Sequence, residues 1–317
     1  MNESKEEVLV WGPMHPSLMQ SLEENYCVHP RWEIADFRRW ASLHGDAIRV
    51  VVTSAVHGAD NGRLDQLSNL EAITSFGVGY DALDTTYLAA RGIQLSNTPD
   101  VLNHSVAETA LALMLCVSRR INEAERFVRA GKWQEARFPL GHDLHGKTCG
   151  IVGLGKIGKT VAKMVSAFNM SVAYYRPNGP YTDVPYTHYA DLQALAAAAD
   201  YLVVIVPGGA ETRHLIDRSV MRALGPTSFL INVARGSVVD ESALVAALLE
   251  SEIGGAALDV FEDEPHVPVE LLEMDNVVLL PHIGSGTHET RQAMADLVYA
   301  NLKSWFEKQT LVTPVTL

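Results

Sequence analysis

The sequence is poor in cysteine, in positive charge and in long apolar runs, and each shortage excludes something. Its three cysteines, Cys27, Cys116 and Cys149, are odd in number, widely spaced and set among apolar neighbours. They exclude a disulfide framework and predict buried, reduced thiols. No two of them have metal-ligand spacing, so no metal is expected. Lys and Arg number 25 against 38 Asp and Glu, and the resulting net charge of −13 argues against nucleic acid or an anionic membrane as partner. No apolar run approaches the roughly 18 residues of a membrane span. The first residues, Met1-Asn2-Glu3-Ser4-Lys5-Glu6-Glu7, are acidic where a secretory signal would be basic, and the expected compartment is the cytoplasm. Internal repeats and low-complexity tracts are also missing.

What remains has the balance of a packed globular protein, 47% hydrophobic and 20% charged over 317 residues, a length that suits two domains. Near the middle, the apolar run 148–152 leads directly into Gly153-Leu154-Gly155-Lys156-Ile157-Gly158. After it Ile157, Val161, Val165 and Phe168 recur at helical spacing. A strand, a glycine-rich turn and a helix in that order form a dinucleotide cradle. The first glycine allows the tight turn, the second lets backbone approach a pyrophosphate, and the third lets helix lie close on sheet. The helix N-terminus then faces the anion with free N–H groups and the positive end of its dipole.

Cofactor choice depends on the end of the next strand, where an acid would hold the bare ribose hydroxyls. Here the strand 172–175 ends in Arg176, followed by Pro177-Asn178-Gly179. A guanidinium can fork onto a 2′-phosphate, which an acid would repel, so the preferred cofactor is NADP(H), with NAD(H) possible.

Around the fingerprint the chain alternates short apolar runs with helical stretches. Runs at 8–11, 49–54, 70–76 and 93–96, with a helical stretch at 17–24, predict a smaller parallel α/β domain. Residues 101–130 read as helical, and 148–152 with 172–175, 201–206, 229–233, 256–260 and 277–280 give six strands covered on both faces. Beyond Thr287 an amphipathic helix places Met294, Leu297, Val298, Leu302 and Trp305 on one face.

In open parallel sheets ligands bind beyond the carboxyl ends of the strands. Arg235, Asp259 and His282 all stand at such ends, and Glu264 lies just past Asp259, within reach of His282. Hydride addition to a 2-keto acid needs a cation for the carboxylate and a proton donor for the developing alkoxide. Arg235 can fork onto the carboxylate, His282 can protonate the oxygen, and Glu264 can favour the charged imidazole. Asp259 could accept from the nicotinamide carboxamide.

These residues lie in a series that resembles the D-isomer-specific 2-hydroxyacid dehydrogenases over most of the chain. The likeness is carried by Asn97-Thr98-Pro99-Asp100-Val101-Leu102, the glycine fingerprint, Ile231-Asn232-Val233-Ala234-Arg235-Gly236, Leu258-Asp259-Val260-Phe261-Glu262-Asp263-Glu264-Pro265 and Leu280-Pro281-His282-Ile283-Gly284-Ser285. Thr290-Arg291-Gln292-Ala293-Met294-Ala295-Asp296-Leu297 and Thr313-Pro314-Val315 are similar to the glyoxylate/hydroxypyruvate (hydroxyphenylpyruvate) reductase branch, which often prefers NADPH.

The resemblance implies an α/β protein of two Rossmann-like parallel-sheet domains. An NAD(P)-binding domain at 99–286 would be inserted into a discontinuous flavodoxin-like substrate domain, 1–98 with 287–317. It implies Arg235, Glu264 and His282 as catalytic trio, and Ser54, Val78 and Gly79 as further substrate contacts. The implied cofactor contacts extend to Pro207, Val233, Ala234, Gly284 and Ser285. Members dimerise through an arm that here would span about 119–141, and Trp133 would enter the partner's substrate site. Asn103 departs from the threonine that many members carry near the cofactor phosphates.

The implied activity is reduction of small 2-keto acids, glyoxylate or hydroxypyruvate, to D-2-hydroxy acids. A reductase of larger aryl pyruvates and a non-enzymatic, dinucleotide-sensing, corepressor-like dimer stay open as alternatives. A formate-dehydrogenase-like enzyme is disfavoured, because a glutamine is expected there in place of Glu264.

Overall fold

A computed structural model describes residues 5–317. The chain divides into two compact units, the first running up to Leu102 and resuming over Thr287–Leu317, the second comprising Asn103–Gly286.

The first unit holds five strands, β1 (Glu7–Val10), β2 (Cys27–Pro30), β3 (Ile48–Ser54), β4 (Ala72–Phe76) and β5 (Gln94–Ser96). All pairings are parallel, in the order β2-β1-β3-β4-β5. This is the flavodoxin-like order. Val8, Leu9, Val10, Val50, Val51 and Val52 are fully buried, as central strands covered on both faces should be. The helix Phe37–His44 is capped by Asp36, whose carboxylate accepts the Arg39 N–H at 3.0 Å, and it buries Phe37 and Ala41 against the sheet. The last helix, His288–Lys308, is capped by Thr287 and buries Met294, Val298, Leu302 and Trp305. Trp305 Nε1 donates to Glu71 at 2.9 Å, tying that helix to the base of β4 within the same unit.

The second unit is a seven-stranded parallel sheet: β6 (Thr148–Val152), β7 (Ser171–Tyr175), β8 (Thr187–Tyr189), β9 (Tyr201–Val204), β10 (Phe229–Asn232), β11 (Gly255–Leu258) and β12 (Val277–Leu279). The order is β12-β11-β10-β9-β6-β7-β8, so the direction of winding reverses between β6 and β9. That reversal is the switch point where doubly wound sheets bind ligands, and the glycine fingerprint follows β6 directly.

Several sequence expectations need correction. Two strands were not foreseen, β2 and β8. Both are short sheet edges, and the first ends in Pro30, which no central strand would tolerate. The helical stretch 101–130 is two helices, Asn103–Arg119 and Ile121–Arg129, broken where Arg120 turns left-handed at φ 54°. Cys27 is exposed and Cys116 half-buried, because Cys27 opens an edge strand that is covered less than the interior ones. Only Cys149, inside β6, is buried as expected, and burial pushes its thiol up to about 12. Among the described residues no helix is long and apolar enough to cross a membrane.

Candidate active site

At the switch point each fingerprint glycine occupies a different steric situation. Gly153 has φ +105°, and a Cβ there would stand 2.4 Å from the Ile205 carbonyl oxygen, so only glycine makes this turn. A Cβ on Gly158 would stand 2.2 Å from the Gly153 carbonyl oxygen, where the helix Lys156–Ser166 closes onto the turn. Gly155, the N-cap, has nothing within 4 Å of its Cβ position, and no side chain caps the helix it opens. That open, uncapped N-terminus, with Leu154 buried below it and Ile157 in the first turn, fits a pyrophosphate.

Beyond β7, Arg176 is pinned in place. Its Nη1 donates to the Gly179 carbonyl at 3.1 Å, its guanidinium lies 4.2 Å above the Tyr181 ring, and its backbone carbonyl accepts from His188 Nε2 at 2.8 Å. A cation held flat on a phenol at the end of the second strand can receive an anion there. Pro207 follows β9, and its carbonyl accepts from Thr212 Oγ1 at 2.7 Å.

The trio comes together on three neighbouring strand ends of this unit. After β10, Asn232 Oδ1 accepts the Ala234 N–H and its Nδ2 donates to the Arg235 carbonyl, both at 3.0 Å, turning the chain over buried Val233 and Ala234. Arg235 Nη1 donates to the Ala234 carbonyl at 2.8 Å. A Cβ on Gly236 would stand 1.9 Å from the Phe261 carbonyl carbon, so glycine alone lets this loop press against the loop carrying Glu264. Glu264 Oε1 accepts the Phe261 N–H at 3.1 Å, and Oε2 lies 2.8 Å from His282 Nδ1. Burial pushes the Glu264 carboxyl up. The His282 hydrogen bond and charge, the Phe261 N–H and Arg235 outweigh it, so the net shift is downward and the carboxylate stays ionised.

His282 itself adopts φ +53°, a left-handed conformation that costs a non-glycine residue about 1–2 kcal/mol. Asp259 holds it there. Three consecutive N–H groups end on this one residue: His282 N–H on its carbonyl at 2.8 Å, Ile283 on Oδ1 and Gly284 on Oδ2, each at 2.7 Å. Ser105 Oγ, in the helix Asn103–Arg119, donates to the Gly284 carbonyl at 2.8 Å. Asp259 is 2% exposed, and burial pushes its carboxyl up against the N–H bonds that favour the ion. The acid expected to accept from a nicotinamide carboxamide is also the staple of the His282 loop, next to half-buried Ser285. Asn232, Gly236 and Ser105 were missed as supports, because nothing in their spacing marks them.

In the first unit Ser54 ends β3, and its Oγ sits 2.8 Å from His57 Nδ1 while accepting the His57 N–H at 3.1 Å. His57 was not foreseen; its ring covers Gly12, where a Cβ would meet it at 2.5 Å. Val78 and Gly79 follow β4 in a loop braced by Asn97, whose Nδ2 donates to the Val78 carbonyl at 2.7 Å, and by Thr98, which exchanges bonds with Gly77. Arg291 lies 5.7 Å over Phe76, and burial lowers the pKa of its guanidinium. Trp133, by contrast, stands 69% exposed.

With this geometry in place, residues 111–284 match the sequence model for the D-isomer-specific 2-hydroxyacid dehydrogenase NAD-binding domain. The chain belongs to the D-isomer-specific 2-hydroxyacid dehydrogenase family. It is 47% identical to glyoxylate/hydroxypyruvate reductase A of Arabidopsis thaliana, covering 97% of this chain and 98% of that one. Identity to the hydroxyphenylpyruvate reductase of Plectranthus scutellarioides is 45%, with the same coverage of both chains. Among solved structures it is similar to the NADPH-dependent glyoxylate/hydroxypyruvate reductase of Sinorhizobium meliloti, in complex with NADP and malonate. The TM-score there is 0.92 at 43% identity, over 99% of this chain and 97% of that one.

As a 2-hydroxyacid dehydrogenase the chain is an enzyme, an oxidoreductase built to bind a nicotinamide dinucleotide, and the non-enzymatic sensor reading falls away. Its two parallel sheets are those of the family's solved structures.

Proposed function

We propose that this dehydrogenase reduces small 2-keto acids of the glyoxylate/hydroxypyruvate type to D-2-hydroxy acids and prefers NADPH. The observation that carries the chemistry is the His282–Glu264 pair at 2.8 Å, with Arg235 on the adjoining strand end. Because Nδ1 is committed to Glu264, Nε2 is the nitrogen left to face a substrate. A nicotinamide dinucleotide held at the glycine turn would supply the hydride for the carbonyl carbon. His282 Nε2 gives its proton to the carbonyl oxygen as the C=O bond becomes C–OH, and ionised Glu264 stabilises the imidazolium beforehand. Arg235 forks onto the substrate carboxylate, and Ser54, Val78 and Gly79 are the substrate contacts that family resemblance implies in the first unit.

NADPH preference is supported by Arg176, seated on Tyr181 at the second strand end where an NAD-binding acid would stand, and by the NADP complex of the Sinorhizobium meliloti relative. The domain roles follow: the second unit takes the dinucleotide through Gly153, Gly155, Lys156 and Gly158, and the first unit serves the substrate. The stretch 119–141 exposes Ile121, Val128, Trp133 and Leu140, and serves as a dimerisation arm in this reading.

The test is turnover, followed by nicotinamide absorbance, with glyoxylate, hydroxypyruvate and 4-hydroxyphenylpyruvate under NADPH and under NADH. Fastest turnover of the two small acids with NADPH is expected. A higher kcat/KM for the aryl acid would move the substrate to the larger class, which the likeness to the Plectranthus scutellarioides enzyme favours. No turnover of any keto acid would end the proposal.

A further inference from the structure

The first unit carries a second cluster of chemistry-bearing side chains, at the edge of its sheet away from Ser54, Val78 and Gly79. Glu7 opens β1, and its register partner on the edge strand is Cys27; two residues on, His29 pairs with Leu9. Side chains two apart in a strand, and register partners on neighbouring parallel strands, share a face. Glu7, Cys27, His29 and Leu9 therefore lie on one side of the sheet. Leu9 is buried there against Phe37 and Ala41, so the helix Phe37–His44 covers that same side and brings His44, its last residue, over the strands.

The outcome is compact. His29 Nε2 lies 2.8 Å and His44 Nδ1 3.9 Å from the same oxygen, Glu7 Oε2, and the three donor atoms all fall within 4.8 Å of one another. Two imidazole nitrogens and a carboxylate oxygen are a zinc-type donor set. Bonds of about 2.0–2.2 Å in a tetrahedral site put neighbouring donors roughly 3.3–3.5 Å apart, between the two separations seen here. The rings are also held by packing. His44 stacks on Trp40 at 5.4 Å and 19°, and His29 meets the edge of the same indole at 5.1 Å. Metal-binding histidines need their ring planes fixed from outside the ligand set, and here Trp40 fixes both. The side chains are 30%, 17% and 43% exposed for Glu7, His29 and His44, open enough for an ion to enter and covered enough to shed its water. Cys27 Sγ, 3.8 Å from His29 Nε2, is the next donor in reach.

We propose that Glu7, His29 and His44 form a binding site for a divalent transition ion of the zinc class, which pins the edge strand β2 and the helix Phe37–His44 to β1. The ion stands at the far edge of the sheet from the substrate loops, so it stabilises the unit without entering the reaction. Sequence spacing carries no sign of the site, because its three donors come from β1, β2 and a helix.

The experiment uses tag-free full-length protein, stripped with a chelator, equilibrated with zinc sulfate and gel-filtered, followed by zinc analysis, zinc titration and thermal melting. One zinc per chain is expected, with a melting midpoint that rises with zinc concentration. His29→Gln and His44→Gln should each weaken binding by more than the roughly 10–100-fold that loss of an outer-shell partner costs, and should abolish the rise in melting midpoint. His44 is half-exposed at a helix end, so His44→Gln remains a folded test if His29→Gln does not fold, and its keto-acid reductase activity should stay unchanged. Absence of zinc uptake by the parent chain overturns the proposal. So does uptake of unchanged stoichiometry and affinity in either variant, which would place the ion elsewhere.

Discussion

Glu264 Oε2 lies 2.8 Å from His282 Nδ1, while the other oxygen of the same carboxylate accepts the Phe261 N–H. The acid is thus oriented by its own loop before it meets the imidazole. Glu264→Gln keeps the shape and removes the charge, so the pH above which keto-acid reduction falls should move downward. His282→Gln, which lacks a proton to give, should lower kcat by roughly 10²–10⁴-fold, the usual worth of a positioned general acid. Rate profiles from pH 5 to 9 check both, and an unmoved alkaline limb in Glu264→Gln would count against the pair.

Arg176 carries the cofactor prediction. A charge-assisted hydrogen bond is worth about 1.5–3 kcal/mol, so Arg176→Asp should weaken NADPH by about tenfold or more. NADH should lose much less, since it offers no 2′-phosphate for the new carboxylate to repel. Michaelis constants for both cofactors, measured side by side, decide it; equal changes would make Arg176 a solvated strand-end residue.

Much of the fold and site is legible in the sequence, and the losses have physical causes. Buried parallel strands read as continuous apolar runs, so ten of the twelve strands stand out, whereas β2 (Cys-Val-His-Pro) and β8 (Thr-His-Tyr) are edges whose polar residues leave no apolar run to read. The Arg235, Glu264 and His282 cluster is legible because a parallel sheet delivers strand ends to one side, whatever the loop lengths between them. Asp259 is legible as a strand-end acid, but its part in stapling the His282 loop is not. A carboxylate that accepts from backbone N–H groups far along the chain has the same sequence signature as one that accepts from a ligand. The Glu7–His29–His44 cluster is invisible in the sequence because three-dimensional packing, not spacing, assembles it.

Asp259 therefore carries a stability prediction. Asp259→Ala would take the carboxylate from the Ile283 and Gly284 N–H groups, and the buried one, on Gly284, costs about 1–3 kcal/mol when unpaired. The urea midpoint should fall accordingly, and kcat should fall with it, because the left-handed turn at His282 loses its staple. A variant as stable as the parent chain would mean that solvent reaches the loop and replaces the carboxylate.

Away from the site, Glu252 gathers the guanidinium groups of Arg218 and Arg222, at 2.9–3.0 Å and 2.8 Å, on one face of the second unit. The hydrogen bonds to Arg218 and then Arg222 lower its carboxyl from an ordinary 4.5 to about 2. A carboxyl lowered on folding adds stability that is complete above its unfolded pKa and disappears as pH falls through its folded one. The stability gap between the parent chain and Glu252→Gln should therefore be constant from pH 7 to about 5 and close as the pH drops from about 4.5 toward 2. Denaturant titrations at pH 7, 5, 4 and 3 measure the gap. A gap at pH 3 as wide as the gap at pH 7 would show that residue 252 stabilises this face through the shape of its hydrogen bonds and not through its charge.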